Sequence, residues 1–261
     1  MAAQIVFFVR PFFNQMKKLI TIIIIAARIP AVFADTSTNG VVQEKKSPWE
    51  SNASLGFTLT RGNSDTSLFT AKVFTSRKDD FNEWLLGADG AYGENSGVEN
   101  ADSLHGFGQW NHLFSEKFFS YMRVDALHDG IAGIKYRVTI GPGAGYYLLK
   151  ETNTTLSAEA GCAEVIEQRG TSDNSYATLR LAEKFEHKFA EHGARVWQTF
   201  EILPQVDNFN NYIINAEIGI EAGIARNLSL QSYIDDSFDN QPAFGRLRND
   251  VKLVTGISYK F

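Results

Sequence analysis

The sequence is poor in cysteine, methionine and proline, and these shortages narrow the class of protein. Its 261 residues include one Cys, three Met and six Pro, against 20 Phe and 21 Gly. The single cysteine, Cys162, excludes an internal disulfide, and we interpret it as a small apolar residue on a packed or lipid-facing surface. Because aromatic side chains suit a pleated surface, the composition favours strands over helices.

Long apolar runs are scarce as well. A helical membrane protein with several spans needs several runs of about 20 apolar residues. Only one apolar run occurs in this chain, near the amino terminus. A membrane protein built from strands needs no such run, since each spanning strand is only half apolar.

Positive charge is also in short supply. The chain has 25 Lys and Arg against 30 Asp and Glu, a net charge of −5. The first 34 residues hold four of the basic residues and no acidic residue, which leaves 21 against 30 and a net charge of −9. Nucleic-acid binding depends on neutralising phosphates with Lys and Arg, so we expect no nucleic-acid partner.

Residues 1–34 have the layout of a secretory signal peptide. Met16 to Lys18 supply a basic segment, Leu19 to Ala27 an apolar segment, and Val32 to Ala34 the residues before a cleavage site. We therefore predict cleavage after Ala34. Met16 is an alternative true start, since the upstream residues add nothing that a signal peptide requires.

The rest of the chain divides into a short linker and one domain. Residues 35–48 are mostly small and polar, which predicts a linker. From residue 49 to residue 261 the apolar residues recur with a period of two. That period is typical of strands with one apolar and one polar face.

The segment Tyr212–Ile224 shows the alternation most clearly. Its apolar positions are Tyr212, Ile214, Ala216, Ile218, Ile220, Ala222 and Ile224. The positions between them are polar or small from Asn215 onward, including Glu217 and Glu221. Eleven further segments follow the same pattern, near residues 49–59, 66–77, 81–93, 102–114, 118–129, 136–148, 154–166, 177–189, 194–204, 228–238 and 249–261.

The connections between these segments alternate in length. The tight links are near Arg77–Asp80, Ser115–Lys117, Lys150–Asn153, Ala190–Gly193 and Arg226–Asn227. The longer, polar links are near Glu94–Asn100, Gly130–Lys135, Gln168–Asn174, Gln205–Asn211 and Asn240–Arg248, with Arg61–Ser64 as a short exception. Short turns on one side, longer loops on the other and an even strand count predict an all-β, up-and-down outer-membrane barrel of about 12 strands.

Two architectures fit the alternation itself. A soluble sandwich or lipocalin-like barrel turns its apolar face inward, whereas a membrane barrel turns it toward lipid and keeps polar residues in the lumen. Strand length, loop rhythm and the chain terminus favour the membrane barrel. The charges that we then expect in the lumen are Lys72, Asp89, Arg123, Asp125, Arg137, Glu159, Arg180, Lys184, Glu186, Glu201, Glu217, Glu221, Asp235 and Lys252.

Aromatic residues cluster at the expected strand ends. We predict an interfacial girdle beside the short turns, formed by Trp49, Phe114, Phe118, Phe189, Tyr212, Tyr259 and Phe261. The last segment also resembles the closing strand of outer-membrane proteins in general, with a terminal Phe261 and an aromatic residue, Tyr259, two positions earlier. That resemblance implies recognition by the barrel-assembly machinery.

A narrower resemblance lies at the start of the domain. Trp49, Ser54 to Gly56 and Thr60 to Thr66, with its Gly62-Asn63-Ser64 turn, are similar to the opening of the YdiY-like family of salt-induced outer-membrane proteins. The family is a domain of unknown function, so the resemblance implies location and architecture together with salt-linked expression. It supplies no catalytic residues.

Other motifs favour structural interpretations. Gly141 to Gly145 lacks the Lys and the following helix of a phosphate loop, and we expect its glycines to relieve crowding on an inward face. The histidines lack the spacing of a zinc site, and we expect no metal and no cofactor; they are His105, His112, His128, His187 and His192. Ser103 with His105, and His128 with Asp129, are the nearest approaches to a hydrolase site, and neither is a recognisable nucleophile arrangement.

Three classes of function follow. The leading hypothesis is a non-enzymatic barrel in the outer membrane of a Gram-negative bacterium, in contact with its lipid, with a structural or small-solute channel role. In the lumen, mixed charges either line a narrow path or pair into a plug. The alternatives are an outer-membrane enzyme resembling a lipid hydrolase and a soluble periplasmic β-barrel that binds an apolar ligand.

Overall fold

The described residues form twelve antiparallel strands. The computed structural model describes residues 49–60, 66–189 and 193–261. The strands are β1 (Trp49–Thr60), β2 (Thr66–Lys78), β3 (Asn82–Asn95), β4 (Val98–Leu113), β5 (Phe118–Asp129), β6 (Ile134–Lys150), β7 (Thr154–Arg169), β8 (Ser172–Lys188), β9 (Arg195–Pro204), β10 (Tyr212–Ala225), β11 (Leu228–Asp239) and β12 (Asn249–Lys260).

Each strand pairs with its neighbours in the chain, and β1 pairs with β12, so the sheet closes into a barrel. The predicted all-β, up-and-down barrel is therefore confirmed. No helix in the described ranges is long and apolar enough to cross a membrane. The predicted signal peptide, the linker at 35–48 and the Gly62-Asn63-Ser64 turn lie outside the described residues.

The barrel has two rims, and we call the one that holds the first and last residues of the domain, Trp49 and Phe261, the proximal rim. The proximal rim holds Trp49, Phe261, Phe189, residues 193–194 and the connections 79–81, 114–117, 151–153 and 226–227. The distal rim holds the connections 96–97, 130–133, 170–171, 205–211 and 240–248. The longest connections, between β9 and β10 and between β11 and β12, are therefore distal.

Two of the predicted long loops are wrong. Most residues of Glu94–Asn100 and Gln168–Asn174 belong to strands. The turn within each segment has only two residues, 96–97 in the first and 170–171 in the second. Positive φ angles at Ser96, Gly97 and Gly170 make these tight reversals. These strand ends are polar on both faces and lack the apolar alternation of the other strands, so the sequence predicted loops there.

The apolar faces of the strands point outward. On β10, Ile218, Ile220 and Ile224 are 58%, 53% and 60% exposed, whereas Glu221 is 1% exposed. Across the sheet, residues paired directly opposite each other share a face, and Ser54, Lys72, Asp89 and His105 form one such inward row. This orientation is that of a membrane barrel and the reverse of a lipocalin-like barrel.

Small and large side chains share the interior. Near the proximal rim, Leu113, Phe119 and Tyr121 form a buried cluster with Tyr147 packed against it. The girdle residues lie at the proximal rim with one exception, since Tyr212 begins β10 at the distal rim. That part of the girdle prediction is wrong because β10 runs from the distal to the proximal rim.

Candidate functional site

The inward face carries all the charges expected in the lumen. The direct pairs Lys72–Asp89, Glu217–Asp235 and Asp235–Lys252 illustrate how neighbouring strands line up these side chains. The strand register places the remaining predicted lumen charges on the same face. What the alternation does not reveal is which of them meet across the barrel.

One ion pair crosses the middle of the lumen. Lys72 Nζ lies 2.6 Å from Glu217 Oε2, although β2 and β10 are not neighbours in the sheet. Trp197 Nε1 donates to the other carboxylate oxygen at 2.6 Å, and the Lys72 ammonium also lies 4.8 Å from the centre of the Tyr233 ring. Two strands that are separated along the wall are therefore joined through the interior.

A second cluster fills the side of the lumen formed by β4 to β9. Glu159 accepts hydrogen bonds from Arg180 at 2.8 Å, Lys184 at 2.8 Å and Gln109 at 3.0 Å. Arg180 also binds Glu201 at 2.5 Å. Glu159, Arg180 and Gln109 are buried, so the two charged groups, Glu159 and Arg180, have lost water and gained partners.

A third group lines the wall of β3 to β5. His105 lies between two carboxylates, 3.0 Å from Asp89 and 3.4 Å from Asp125. Arg123 binds Asp125 at 2.6 Å, and its guanidinium lies 4.5 Å from the centre of the Phe107 ring. These side chains are partly exposed to lumen space, with Asp89 40% and His105 30% accessible.

Ion pairs also cross the lumen just below the distal rim. Asp239, at the end of β11, binds Arg137 of β6 at 2.9 Å and Arg169 of β7 at 3.1 Å. Glu167 holds the same two arginines, at 2.6 Å and 2.7 Å. Because β11 lies across the barrel from β6 and β7, this group spans the mouth.

The connection 240–248 continues that closure above the strands. A side-chain carbon added at Gly133 would lie 3.0 Å from Ala243 Cβ and 3.7 Å from Arg246 Nε. Gly133 belongs to the turn between β5 and β6, on the opposite side of the ring from β11 and β12. The connection therefore reaches across the distal mouth, and the small residue at 133 leaves room for it.

The proximal end of the lumen is lined by two buried carboxylates. Glu221 binds Arg195 at 2.7 Å and Lys260 at 3.0 Å. Glu83 accepts hydrogen bonds from three side chains, Lys78 at 2.6 Å, Tyr147 at 2.6 Å and Asn111 at 3.2 Å. These groups hold the charges against the wall.

Space remains between these groups. A cavity of about 210 Å³ lies toward the distal end, where Ser103, Asp129, Asp250 and Lys252 contribute to its lining. Lys252 Nζ donates to Ser103 Oγ at 3.2 Å across the lumen. Lys72 and Lys184 are 30% and 32% accessible, so the lumen is constricted without being filled.

Several lumen residues escaped the sequence analysis. Glu83, Glu167 and Arg195 share the inward parity of the predicted set, and extending the alternation to the strand ends would have found them. Arg169 and Asp239 lie in segments read as loop or loop border. Neutral Gln109 bridges strands but carries no charge to attract attention.

The other sequence motifs have ordinary partners. Ser103 binds Lys252 and His105 binds two aspartates, so their side chains are engaged in lumen contacts. His112, His128 and His187 each contact nearby polar groups, while His192 lies outside the described residues. Within the described ranges, no three potential metal ligands cluster together. Cys162 is exposed on the outward face.

The inward glycines of Gly141 to Gly145 meet their neighbours closely. A side chain at Gly141 would overlap the Cys162 carbonyl, and side chains at Gly143 and Gly145 would overlap the Tyr121 and Phe119 rings. They relieve crowding, as predicted. At the terminus, the Tyr259 and Phe261 rings lie 6.3 Å apart, and Phe261 N donates to Ser51 O at 3.0 Å.

Residues 53–261 match the model of a family described as a protein of unknown function, DUF481. The chain belongs to this family. The match confirms the YdiY-like resemblance and covers the whole barrel apart from the first residues of β1.

Three solved outer-membrane structures are similar to the chain at low sequence identity. The NanC porin is 6% identical with a TM-score of 0.50, covering 81% of this chain and 100% of that one. The KdgM porin is 8% identical with a TM-score of 0.43, covering 82% and 99%. The translocator domain of NalP from Neisseria meningitidis is 12% identical with a TM-score of 0.42, covering 84% and 90%.

No curated protein matches the chain. The porin likeness is one of fold, and the chain is a porin-like outer-membrane β-barrel by architecture.

Proposed function

We propose that this protein is a channel for small ions in the bacterial outer membrane, closed at its distal mouth in the resting state. The outward apolar face supports the location, since a barrel with this orientation is stable only in lipid. In outer-membrane barrels the short turns face the periplasm, so the distal rim faces the outside of the cell. The proposal assigns no catalytic role, and hydrolysis of lipid esters by the purified protein would contradict it.

The observation that carries the proposal is that the distal mouth is spanned by contacts while the lumen below it keeps open space. Ion pairs from Asp239 and the connection 240–248 span the mouth, while Asp89, Lys72 and His105 remain partly accessible below it. In a lumen that serves only as a packed core, we would expect these charged side chains to be buried. Because acidic and basic groups are mixed along the path, we expect weak ion selectivity.

Single-channel conductance in planar bilayers tests the proposal. We expect the wild-type protein to open rarely, and Asp239→Asn to raise the open probability by at least about threefold, since the change removes one charge from the pairs that span the mouth. Shortening the connection 240–248 should act in the same direction.

A neighbouring residue gives a matched control. Asp236 lies on the same strand but faces outward, directly opposite Ala216 and Val251. Asp236→Asn removes the same charge and should leave conductance unchanged. If neither the wild type nor the two mouth variants conduct, the channel proposal fails.

A structural barrel with a plugged lumen is the second candidate. The buried cluster of Glu159, Arg180 and Gln109 favours it, because those contacts brace the wall without leaving a path on that side. The plug predicts that opening the distal mouth changes nothing, so the same recordings separate the two functions.

Biogenesis and expression belong to the same proposal. The paired Tyr259 and Phe261 rings at the end of β12 support recognition by the barrel-assembly machinery. Salt-linked expression, implied by the family resemblance, remains a prediction. So does the cleavage of residues 1–34 during export.

A further inference from the structure

An exposed carboxylate, that of Glu183, lies on the outward face of β8. Glu183 follows Leu181 and precedes Phe185 on that face, and it lies directly opposite Ala158 of β7 and Phe200 of β9. Its side chain is exposed, and within the described ranges it makes no hydrogen bond or ion pair. It is closer in sequence to the proximal end of β8 than to the distal end.

Glu183 borders a shallow apolar groove on the outside of the barrel. The groove encloses about 520 Å³ and runs across the outer surface from β5 to β9. Its floor consists of three alanines, and aromatic rings stand beside them: Ala144, Ala158 and Ala160, with Phe118, Tyr146 and Phe200. The small alanine side chains between large aromatic ones form the recess.

The position of this carboxylate limits what covers it. A charged side chain on the lipid face of a barrel is destabilising unless a group of opposite charge meets it. The groove beside it is apolar, so its occupant needs a hydrocarbon part and a cationic hydrogen-bond donor at one end. Phospholipids of the inner leaflet with a primary ammonium head group have both parts.

We propose that this groove binds an ethanolamine-type phospholipid, with an acyl chain on the alanine floor and the ammonium group hydrogen-bonded to Glu183. A second copy of the chain fits less well, because a symmetric contact centred on the groove would bring two Glu183 carboxylates together. The inference rests on the membrane location proposed above and is independent of conductance.

Another outward carboxylate provides a natural comparison. Glu164 of β7 also faces lipid, opposite Ala177 and Ile140, but it accepts a hydrogen bond from Ser175 of β8. Its charge is therefore already engaged by the protein. Glu164→Gln and Glu183→Gln make the same chemical change on the same surface.

Native mass spectrometry of the full chain tests the site. The protein, purified in detergent, is exposed to equal amounts of dioleoyl phosphatidylethanolamine and dioleoyl phosphatidylcholine, which differ in the ability of the head group to donate hydrogen bonds. We expect about tenfold preferential retention of the ethanolamine lipid, as one charge-assisted hydrogen bond provides. Glu183→Gln should bring the ratio to about one, and Glu164→Gln should preserve it.

Occupation of the groove itself is tested by Ala158→Phe, which should reduce retention of both lipids. Heat-modifiable gel migration reports folding, and if this variant fails to fold, the two glutamine variants decide the question. Equal retention of the two lipids by the wild type, or an unchanged ratio in Glu183→Gln, overturns the proposal. A dimer that excludes lipid assigns the groove to a second copy and also overturns it. A barrel that retains the lipid but never conducts contradicts only the channel.

Discussion

Single glycines decide where the largest interior rings lie. Gly219 of β10 is directly opposite Trp197 of β9, and a side chain at 219 would overlap the indole ring. That ring donates to Glu217 and also stacks 4.6 Å from the Arg195 guanidinium. The glycine therefore positions a side chain that holds one end of the ion pair across the lumen.

Gly219→Val is expected to lower the free energy of unfolding by about 1–3 kcal/mol, because the added volume displaces Trp197. Urea titration of the barrel in lipid vesicles measures the loss. Gly106→Val is the control, since that glycine faces outward. A side-chain carbon added there would meet only the Gly87 carbonyl oxygen, at 3.7 Å. Equal losses in the two variants would refute the assignment of Gly219 as a seat for the ring.

At this scale the sequence predicts faces and leaves partners open. Alternation alone assigned Lys72 and Glu217 to the lumen, because parity is a local property of each strand. Their contact depends on the stagger of strands that are four places apart around the ring. Stagger is set by all the intervening hairpins together, so no local pattern predicts that contact.

The hairpin between β3 and β4 shows what sets an element's length. Ser96 and Gly97 both adopt positive φ, 52° and 78°, and reverse the chain in two residues. The polar residues around them remain strand and extend the wall at the distal rim. Polarity on both faces signals solvent on both faces, which a projecting strand and a loop share, and for this reason the sequence predicted a loop.

Gly97→Ala is expected to destabilise the barrel by about 1 kcal/mol, since a side chain is strained at positive φ although the space around Gly97 is open. Ser96→Gly removes the same strain one residue earlier and should not lower stability. The free energies of unfolding of both variants in vesicles provide the comparison. Losses of equal size would mean that the φ angles do not govern this turn.

For the whole molecule, the sequence was sufficient to predict the strand number and the inside-out orientation. Both follow from counts and periods that run along the entire chain, so an error in one segment does not change them. The closing contact is different, because it joins the first strand to the last. Its ladder runs from Asn52 to Gly56 against Lys260 to Gly256 and is shorter than that of every other strand pair.

This short seam makes a specific prediction about cross-linking. Leu55 and Ile257 are directly opposite each other on the outward face, at a spacing that suits a disulfide. Phe57 and Thr255 are the next outward positions, beyond the end of the ladder. In a Cys162→Ala background, we expect Leu55→Cys with Ile257→Cys to oxidise at least about tenfold faster than Phe57→Cys with Thr255→Cys, since the reaction requires close Cα atoms. Gel migration of the boiled protein without reductant measures both rates.

Equal rates would mean that pairing continues past Gly56. Slow oxidation of the pair at Leu55 and Ile257 would mean that the barrel closes in a different register. The ion pairs across its lumen would then need different partners.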